Sequence, residues 1–560
     1  MLFALLGIVI LINFIGSFYF KRFDLTSEKR FTIAESSKAL LKKINQEMLF
    51  KVYFEGEFNP GFTRLRNEAK EMLDQFRVFS GGNLQYEFID PDDKGLTIEE
   101  RNNIQNQLYT KGILPRDVTE RTSGKVSTVR IWPGAIVTYG EKKSAVWQIF
   151  NEQIGVNTEE GINNSVKELE YSLSNTIRKL LREKDPEVTF IEGHNELDTI
   201  HKYEFMRALS EYYYVNRTII KPGTELSALK GSDAIIIAKP DSAFNNKEKF
   251  AIDQFIMEGG KVLWLIDPVE TNLDTLMYKG FTLGLNRPLN IEDMLFKYGV
   301  RLNPVLVQDM SCTKVPINMG FKRGHPVWEM YSWVYSVLIQ PDNEHVIVRN
   351  LDPIKFDYLS TIDTVTAKGI KKTVLLKSSR SSKTQPTPAK IFMGLARLPI
   401  KESQFLEHYL PVAVLLEGSF SSFVEHRRLP SVLQNNPNFK FLDKSKPTKM
   451  IVVADGDVAS NDYLQKTGEI IPLGRDKYSN PAAPITYANK TFLINCVNYL
   501  LDDEGMLQLR SREVKLRLLD KKKISLQRTK WQTINVLAPV LLLIAFGSIQ
   551  FFYRKRKYSV

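Results

Sequence analysis

The residues best suited to chemistry fall in one short stretch. Glu192-Gly193-His194-Asn195-Glu196 follows the apolar run Val188-Thr189-Phe190-Ile191, and Asp198 and His201 come soon after. An imidazole titrates near neutral pH, and carboxylates beside it can pass a proton or share a cation. A loop at the carboxyl end of a strand is also where α/β sheets hold ligands. Glu192, His194, Asn195 and Glu196 are therefore the first candidate binding residues. Asp455 and Asp457, on either side of Gly456 after the apolar run Met450–Val453, are the second set and offer two carboxylates to a cation. A plainer use competes with each. Polar loop side chains bond backbone groups, and Asp-Gly-Asp is a turn sequence. The plainer use is the expectation for both.

No catalytic signature accompanies them. The chain contains no G-x-x-x-x-G-K-S/T loop, no G-x-G-x-x-G and no G-x-S-x-G, so neither ATP hydrolysis nor a serine elbow is expected. Cys312 and Cys496 are too far apart for a C-x-x-C or a zinc set, and two buried thiols or one tertiary disulfide are expected. The chain reads as a non-enzyme with no cofactor and no metal site. A divergent hydrolase using His194 and the nearby carboxylates is the catalytic alternative.

The elements that must hold these residues alternate between strand and helix. Val188–Ile191 is a strand and Tyr203–Tyr212 a helix. Asp233–Ala238 is an apolar run of the kind buried on both faces. A helix follows with Phe250, Ile252, Phe255 and Ile256 inward, closed by Gly259-Gly260, and Lys261–Ile266 is the next strand. Units of about 30 residues predict a doubly wound α/β fold. Within residues 296–420, Val346–Arg349, Thr373–Leu376 and Val412–Leu416 read as strands, and 379–388 as a flexible surface loop. Met450–Val453 is a further strand and Thr491–Leu501 a helix. Near the start, Thr32 or Ser36/Ser37 should cap a helix through Leu40 and Leu41. Then come strand Leu49–Phe54, helix Arg64–Phe79 and strand Leu84–Ile89, a βαβ unit, with strands at Thr128–Tyr139 and Ala145–Phe150. This order resembles a thioredoxin-like domain without its redox cysteines. Val166, Leu169, Leu173, Ile177 and Leu180 then mark an amphipathic helix.

Both ends are apolar. Leu2–Phe20 and Ile534–Phe552 are each long enough, at ~1.5 Å per residue, to cross a ~30 Å hydrocarbon core. A cleaved signal peptide is the alternative for the first. It has no basic residues before it, which leaves a start upstream of Met1 open. The tail Arg554-Lys555-Arg556-Lys557 is expected to stay cytoplasmic. With two spans, both termini are then inside and residues 21–530 outside, although Lys21 and Arg22 argue the other way. Of the formal charge of +12, +11 lies in the tail and in residues 507–530. Arg510, Arg512, Lys515, Arg517, Lys521, Lys522, Lys523, Arg528 and Lys530 are thus expected to meet lipid head groups, not nucleic acid.

The chain resembles the GldG family, auxiliary proteins of ABC transporters linked to gliding motility in Bacteroidetes. The resemblance rests on Phe23-Asp24-Leu25-Thr26, Phe190 to Glu196, Ala251 to Ile256 with Gly259 to Trp264, Val453 to Asp457, and Asn489 to Gly505. It spans nearly the whole chain. It implies a periplasmic body beside a permease and, through it, a cytoplasmic ATPase, with other envelope proteins as further candidates. It also implies that the second body is similar to class I glutamine amidotransferases, as a scaffold only, since neither cysteine lies in a nucleophile turn. The expected layout is an N-terminal transmembrane helix (1–20), a membrane-proximal linker (21–47) and a thioredoxin-like α/β domain (48–158). A connecting helix (159–185) leads to an amidotransferase-like α/β domain (186–506) with a β-rich insertion around 296–420. A basic juxtamembrane segment (507–530), a C-terminal transmembrane helix (531–553) and a basic tail (554–560) complete it. The expected function is a non-catalytic subunit in the bacterial inner membrane that acts by protein contact. A ligand- or glycan-binding module using the crevice near Glu192–Glu196 is the alternative.

Overall fold

The apolar run at Asp233–Ala238 forms a central strand in the computed structural model. The structure describes residues 33–502 and 521–558, apart from 94, 123–124, 142, 151–157, 183, 222–226, 272, 343, 350, 425–440, 465–466 and 481–483. The apolar segment Leu2–Phe20, the motif Phe23–Thr26 and the basic residues Arg510, Arg512, Lys515 and Arg517 lie outside the described residues. The chain divides into two units, Met1–Arg512 and Glu513–Val560.

The first body opens with α1 (Glu35–Leu41), β1 (Met48–Val52), α2 (Pro60–Phe79), β2 (Leu84–Phe88) and α3 (Ile98–Thr110). A hairpin, β3 (Arg116–Thr122) with β4 (Lys125–Ile131), is followed by β5 (Gly134–Tyr139), β6 (Lys143–Gln148) and α4 (Thr158–Leu181). The sheet runs β2-β1-β5-β6, with β1 and β2 parallel and β5 and β6 antiparallel. Phe50, Leu73, Phe76, Trp147, Leu173 and Ile177 are buried together beneath it. The expected strand Thr128–Tyr139 is two strands, because Pro133 has no N–H for a ladder and Gly134 N donates to Trp132 O at 2.8 Å. Thr32 lies outside the described residues, and neither Ser36 nor Ser37 caps helix α1. Ala34 holds the cap position, and Glu170 of α4 accepts from Ala34 N (2.7 Å) and Ser37 Oγ (2.9 Å). The cap is tertiary, so no local pattern announces it.

The second body begins with β7 (Glu187–Glu192), α5 (Tyr203–Ser210), β8 (Tyr214–Ile219), β9 (Ala234–Ala238), α6 (Asn246–Met257) and β10 (Lys261–Leu265). Next come β11 (Val269–Glu270), α7 (Leu273–Lys279), β12 (Phe281–Asn286), α8 (Glu292–Tyr298), β13 (Val300–Asn303) and β14 (Val305–Asp309). They lead to the long hairpin β15 (Cys312–Lys322) and β16 (His325–Ile339), then β17 (Ile354–Asp357), β18 (Thr361–Thr364) and β19 (Ile370–Lys377). Then come β20 (Ser382–Pro386), β21 (Ala389–Phe392), β22 (Pro411–Gly418), β23 (Thr448–Val453), the short pair β24 (Tyr463–Leu464) and β25 (Glu469–Ile470), and α9 (Asn489–Leu500). The main sheet has seven strands in the order β19-β22-β23-β10-β9-β7-β8. Strands β23, β10, β9, β7 and β8 are parallel, and β22 is antiparallel to its neighbours.

Alternation along each strand assigns side chains to two cores. Ala234, Ile236, Leu263 and Ile451 share one with Phe205 and Phe492. Ile235, Ile237, Trp264 and Val452 share the other with Phe250 and Ile256. The sheet is covered on both faces, which is why its central strands read as unbroken apolar runs. Burying one such aliphatic or aromatic side chain stabilises the fold by roughly 1.5–3 kcal/mol.

Two readings of the insertion are corrected. Val346–Arg349 is a turn and not a strand: Val348 N and Arg349 N both donate to His345 O (3.0 and 2.9 Å). Ile347 and Val348 are fully buried there, so their apolar character serves packing. The stretch 379–388 is not a free loop. Ser382–Pro386 is β20, paired to β14, and it reads as a loop because its own residues, Ser-Lys-Thr-Gln-Pro, are polar or ladder-breaking. Gln385 Oε1 accepts from Gln308 Nε2 at 2.9 Å, and Thr384 Oγ1 donates to Glu407 at 3.0 Å.

Helix α4 fastens one body to the other. Arg178 faces Asp502 at 3.6 Å with both side chains buried, and Asn498 bridges Tyr171 (3.2 Å) and Tyr213 (2.6 Å).

In the other unit, α10 (Lys521–Tyr558) is one 38-residue helix. Gln527–Lys557 is apolar enough to cross a membrane, with a mean hydropathy of 2.1 in its most apolar stretch and no burial. Arg528 and Lys530 are exposed on it.

Candidate functional site

The order of the strands locates the crevice. From β7 the chain moves outward to β8, then returns to β9 on the other side of β7. Sheets of this kind bind ligands outside the carboxyl ends of the strands where that reversal occurs. The Glu192–Glu196 loop leaves β7 there, and Lys239-Pro240 leaves β9.

The crevice is filled by the chain itself. His194 is buried and its ring stacks on Phe244 at 3.7 Å between centroids. Nδ1 lies 3.1 Å from Glu196 Oε1 and Nε2 lies 3.0 Å from Glu248 Oε2. Glu196 Oε2 also accepts from His194 N at 2.8 Å. The His194 carbonyl accepts from Asp241 N (2.7 Å) and Ser242 N (3.1 Å), and Leu197 N donates to Ala238 O at 3.0 Å. Glu248 belongs to the capping box of α6, so the histidine pins the β7 loop to a helix start. Burial alone would lower the His194 pKa, but the two carboxylates more than offset it and the pKa is raised. Gly193 (φ +120°) and the exposed Asn195 (φ 54°) supply the bend that turns the ring inward.

The other acids of the motif are taken up separately. Glu192 accepts from the buried ammonium of Lys202 at 2.6 Å and faces Arg217 at 3.5 Å. Asp198 pairs with His201 at 2.9 Å on the surface. Among the described residues, no three His, Cys, Asp or Glu side chains converge as metal ligands. An open groove of about 600 Å³ runs beside Glu192, lined by Met206, Val215, Arg217, Thr218 and Ile219.

Asp455 and Asp457 meet residues that are far away in the sequence. Lys239 of the β9 loop pairs with Asp457 and lies 3.4 Å from Asp267, after β10. Asp267 accepts from Gly456 N. Asp455 is fully buried and accepts from Val458 N (3.1 Å) and from Asp357 N (2.9 Å). Asp357 pairs in turn with Lys355 at 2.9 Å. A Cβ on Gly456 would sit 2.5 Å from Lys239 Cβ, so glycine here permits a close approach of two loops. Burial, together with Asp267, Asp457 and Asp357, raises the Asp455 pKa well above the carboxylate range. Burial would lower the Lys239 pKa, but Asp457 and Asp267 outweigh it and raise it. Lys239 therefore stays charged and is no nucleophilic amine. The cluster ties the ends of β9, β10 and β23 together, much as His194 ties β7 to α6.

Both cysteines are free thiols. Burial pushes Cys312 up to about 11, helped by Asp309, and it pushes buried Cys496 well above its usual value. Neither is a thiolate at neutral pH. Sequence reasoning missed Glu248, Lys202, Lys239, Asp267 and Asp357, because each joins its partner through the sheet and not through spacing.

Comparison with known proteins places residues 185–496 in a family described as an ABC-type uncharacterized transport system. Residues 27–138 match a domain of unknown function, DUF7088. No curated protein matches the chain. The N-terminal domain of mmIFT52 aligns with a TM-score of 0.32 and 13% identity, covering 57% of this chain and 98% of that one. A ThuA-like protein from Parabacteroides merdae gives 0.25 and 11%, covering 57% and 91%. Both scores are too low to define a shared fold.

Proposed function

Because the chain belongs to the family of the ABC-type uncharacterized transport system, we propose that it is a non-catalytic, membrane-anchored subunit of an ABC transporter complex, acting by contact with the permease and, through it, with the ATPase. The family match over 185–496 carries this reading. The site geometry supports the non-catalytic part, since the switch-point histidine and the strand-end carboxylates are bonded to the protein's own groups. Helix α10 supports anchoring in a membrane. The finer parts come from the resemblance to GldG: a link to gliding motility or secretion, a periplasmic body, both termini cytoplasmic and a second span at Leu2–Phe20. We read the first body as thioredoxin-like, supported by its β2-β1-β5-β6 order with α4 at the end, and the second as an amidotransferase-like scaffold. The layout proposed from the sequence, 48–158 and 186–506 flanked by anchors, goes with that reading, as does contact of the 507–530 basic residues with lipid.

Blue native electrophoresis of the solubilised native membrane tests the association. A subunit migrates in a particle well above its own 64.4 kDa that also contains a permease and an ATPase. Migration as a lone chain defeats the reading. The groove beside Glu192 favours one second reading, a bound small molecule or glycan. Ligands that bind only the folded state raise the unfolding temperature, and a broad panel that never does so removes that reading.

A further inference from the structure

The hairpin β15–β16 is anchored at its root and exposed at its end. Cross-strand partners share a face, and so does every second residue. The pairs Pro316↔Met330, Asn318↔Trp328 and Phe321↔Pro326 therefore lie on one face, the bulge between Asn318 and Phe321 keeping Phe321 in line. On the opposite face Val315, Trp333 and Tyr335 pack into the core of the insertion. The first face has no such cover: Phe321 is 74% exposed, Trp328 55% and Met330 45%. The turn is Arg323-Gly324, both at positive φ (52° and 81°), as two-residue hairpin loops require. From Cys312 to Trp328 there is no Asp or Glu, while Lys314, Lys322 and Arg323 are present and exposed. Glu329, the nearest acid, lies on the other face and accepts from Tyr331 Oη at 2.8 Å.

We infer that this hairpin tip docks on an anionic phospholipid surface, with Phe321, Trp328 and Met330 entering the interfacial layer and Lys322 and Arg323 meeting the head groups. Aromatic side chains on an apolar face beside basic residues are what the bilayer interface selects. The positive tip complements the head groups of an anionic lipid surface. The folded body and helix α10 are one covalent chain, so the anchor proposed for α10 keeps the body tethered to a membrane. The tip then gives the body a second, reversible hold on the membrane.

The test uses the full chain reconstituted in phosphatidylcholine vesicles with and without phosphatidylglycerol. An environment-sensitive thiol probe is placed at Phe321→Cys. Cys496 is buried, and the half-buried Cys312 is replaced by Ser, so that the probe reports from position 321 alone. Collisional quenching by nitroxide-labelled lipid is expected in the anionic vesicles and much less in the neutral ones. At about fivefold per basic residue near an anionic surface, the double variant Lys322→Glu, Arg323→Glu lowers the equilibrium constant for insertion by at least about 30-fold. Its urea midpoint should be unchanged, since both side chains are exposed. No quenching in either vesicle overturns the proposal. Equal quenching in both overturns the electrostatic recognition and with it the proposal as stated. Protection of the probe only when permease and ATPase are co-reconstituted assigns the tip to a protein partner instead, and also overturns it.

Discussion

His194→Ala should destabilise the second body. The ring has two hydrogen bonds to carboxylates, at 3.1 and 3.0 Å, and one stacked aromatic partner. Hydrogen bonds to charged groups contribute about 1.5–3 kcal/mol each, and the stack about 0.5–1.5 kcal/mol beyond area burial. Relaxation recovers part of that sum. Removing one partner of a buried pair typically costs about 3–5 kcal/mol, and Glu196, its side chain only 3% exposed, would be left facing Glu248 without a cation. A loss of about 3–5 kcal/mol is therefore expected in urea unfolding of the detergent-solubilised chain, followed by tryptophan fluorescence. The loss should depend on pH. The folded-state pKa of His194 is raised, so its contribution is complete below the unfolded value of about 6.5 and disappears as pH rises through the folded value. The gap between wild type and variant should thus be widest in mild acid and narrow in mild alkali. His194→Phe, which keeps a ring on Phe244, should recover the stacking share only. A loss under about 1 kcal/mol, or a gap that is constant with pH, would refute the picture of a histidine clamp closing the crevice.

Other positions give sharper tests of single contacts. Gly456→Ala needs no change of φ (−90°), yet its Cβ meets Lys239, and unfolding should register the about 1–3 kcal/mol typical of overpacking. No measurable loss would mean that the two loops are not held that close. Asn498→Ala removes the buried acceptor of the Tyr213 hydroxyl and the amide that donates to Tyr171, and should lower stability by about 1–3 kcal/mol. A neutral result would place the α4 contact outside the folded core. A chain truncated after Asp502 loses α10 but keeps Leu2–Phe20, so it should resist alkaline carbonate extraction. Release into the supernatant would remove the proposed second span.

The fold was largely legible because the main sheet is buried on both faces. Asp233–Ala238 and Lys261–Ile266 have no other use than as central strands, and helix α6 shows its inward face at Phe250, Ile252 and Ile256. What stayed hidden is held by polar contacts at long range. Strand β20 reads as loop until Gln308 and Glu407 are beside it, and helix α1 lacks a cap until Glu170 arrives. Helix α3 and the β15–β16 hairpin were not anticipated at all. The apolar face of that hairpin is interrupted by Pro316, Asn318 and a bulge, which breaks the period of two. The candidate site divides in the same way. His194 and its bond to Glu196 are two residues apart and could be suspected, whereas Glu248 and the Lys239–Asp457 pair are joined only by the fold.

The most direct measurement is a mild-detergent affinity purification of the tagged full chain from its native membrane, with mass spectrometry of everything recovered in constant ratio. A transporter subunit predicts a multi-span permease and an ATPase at fixed stoichiometry across preparations. Recovery of this chain alone, from a preparation in which other membrane complexes stay intact, would contradict it.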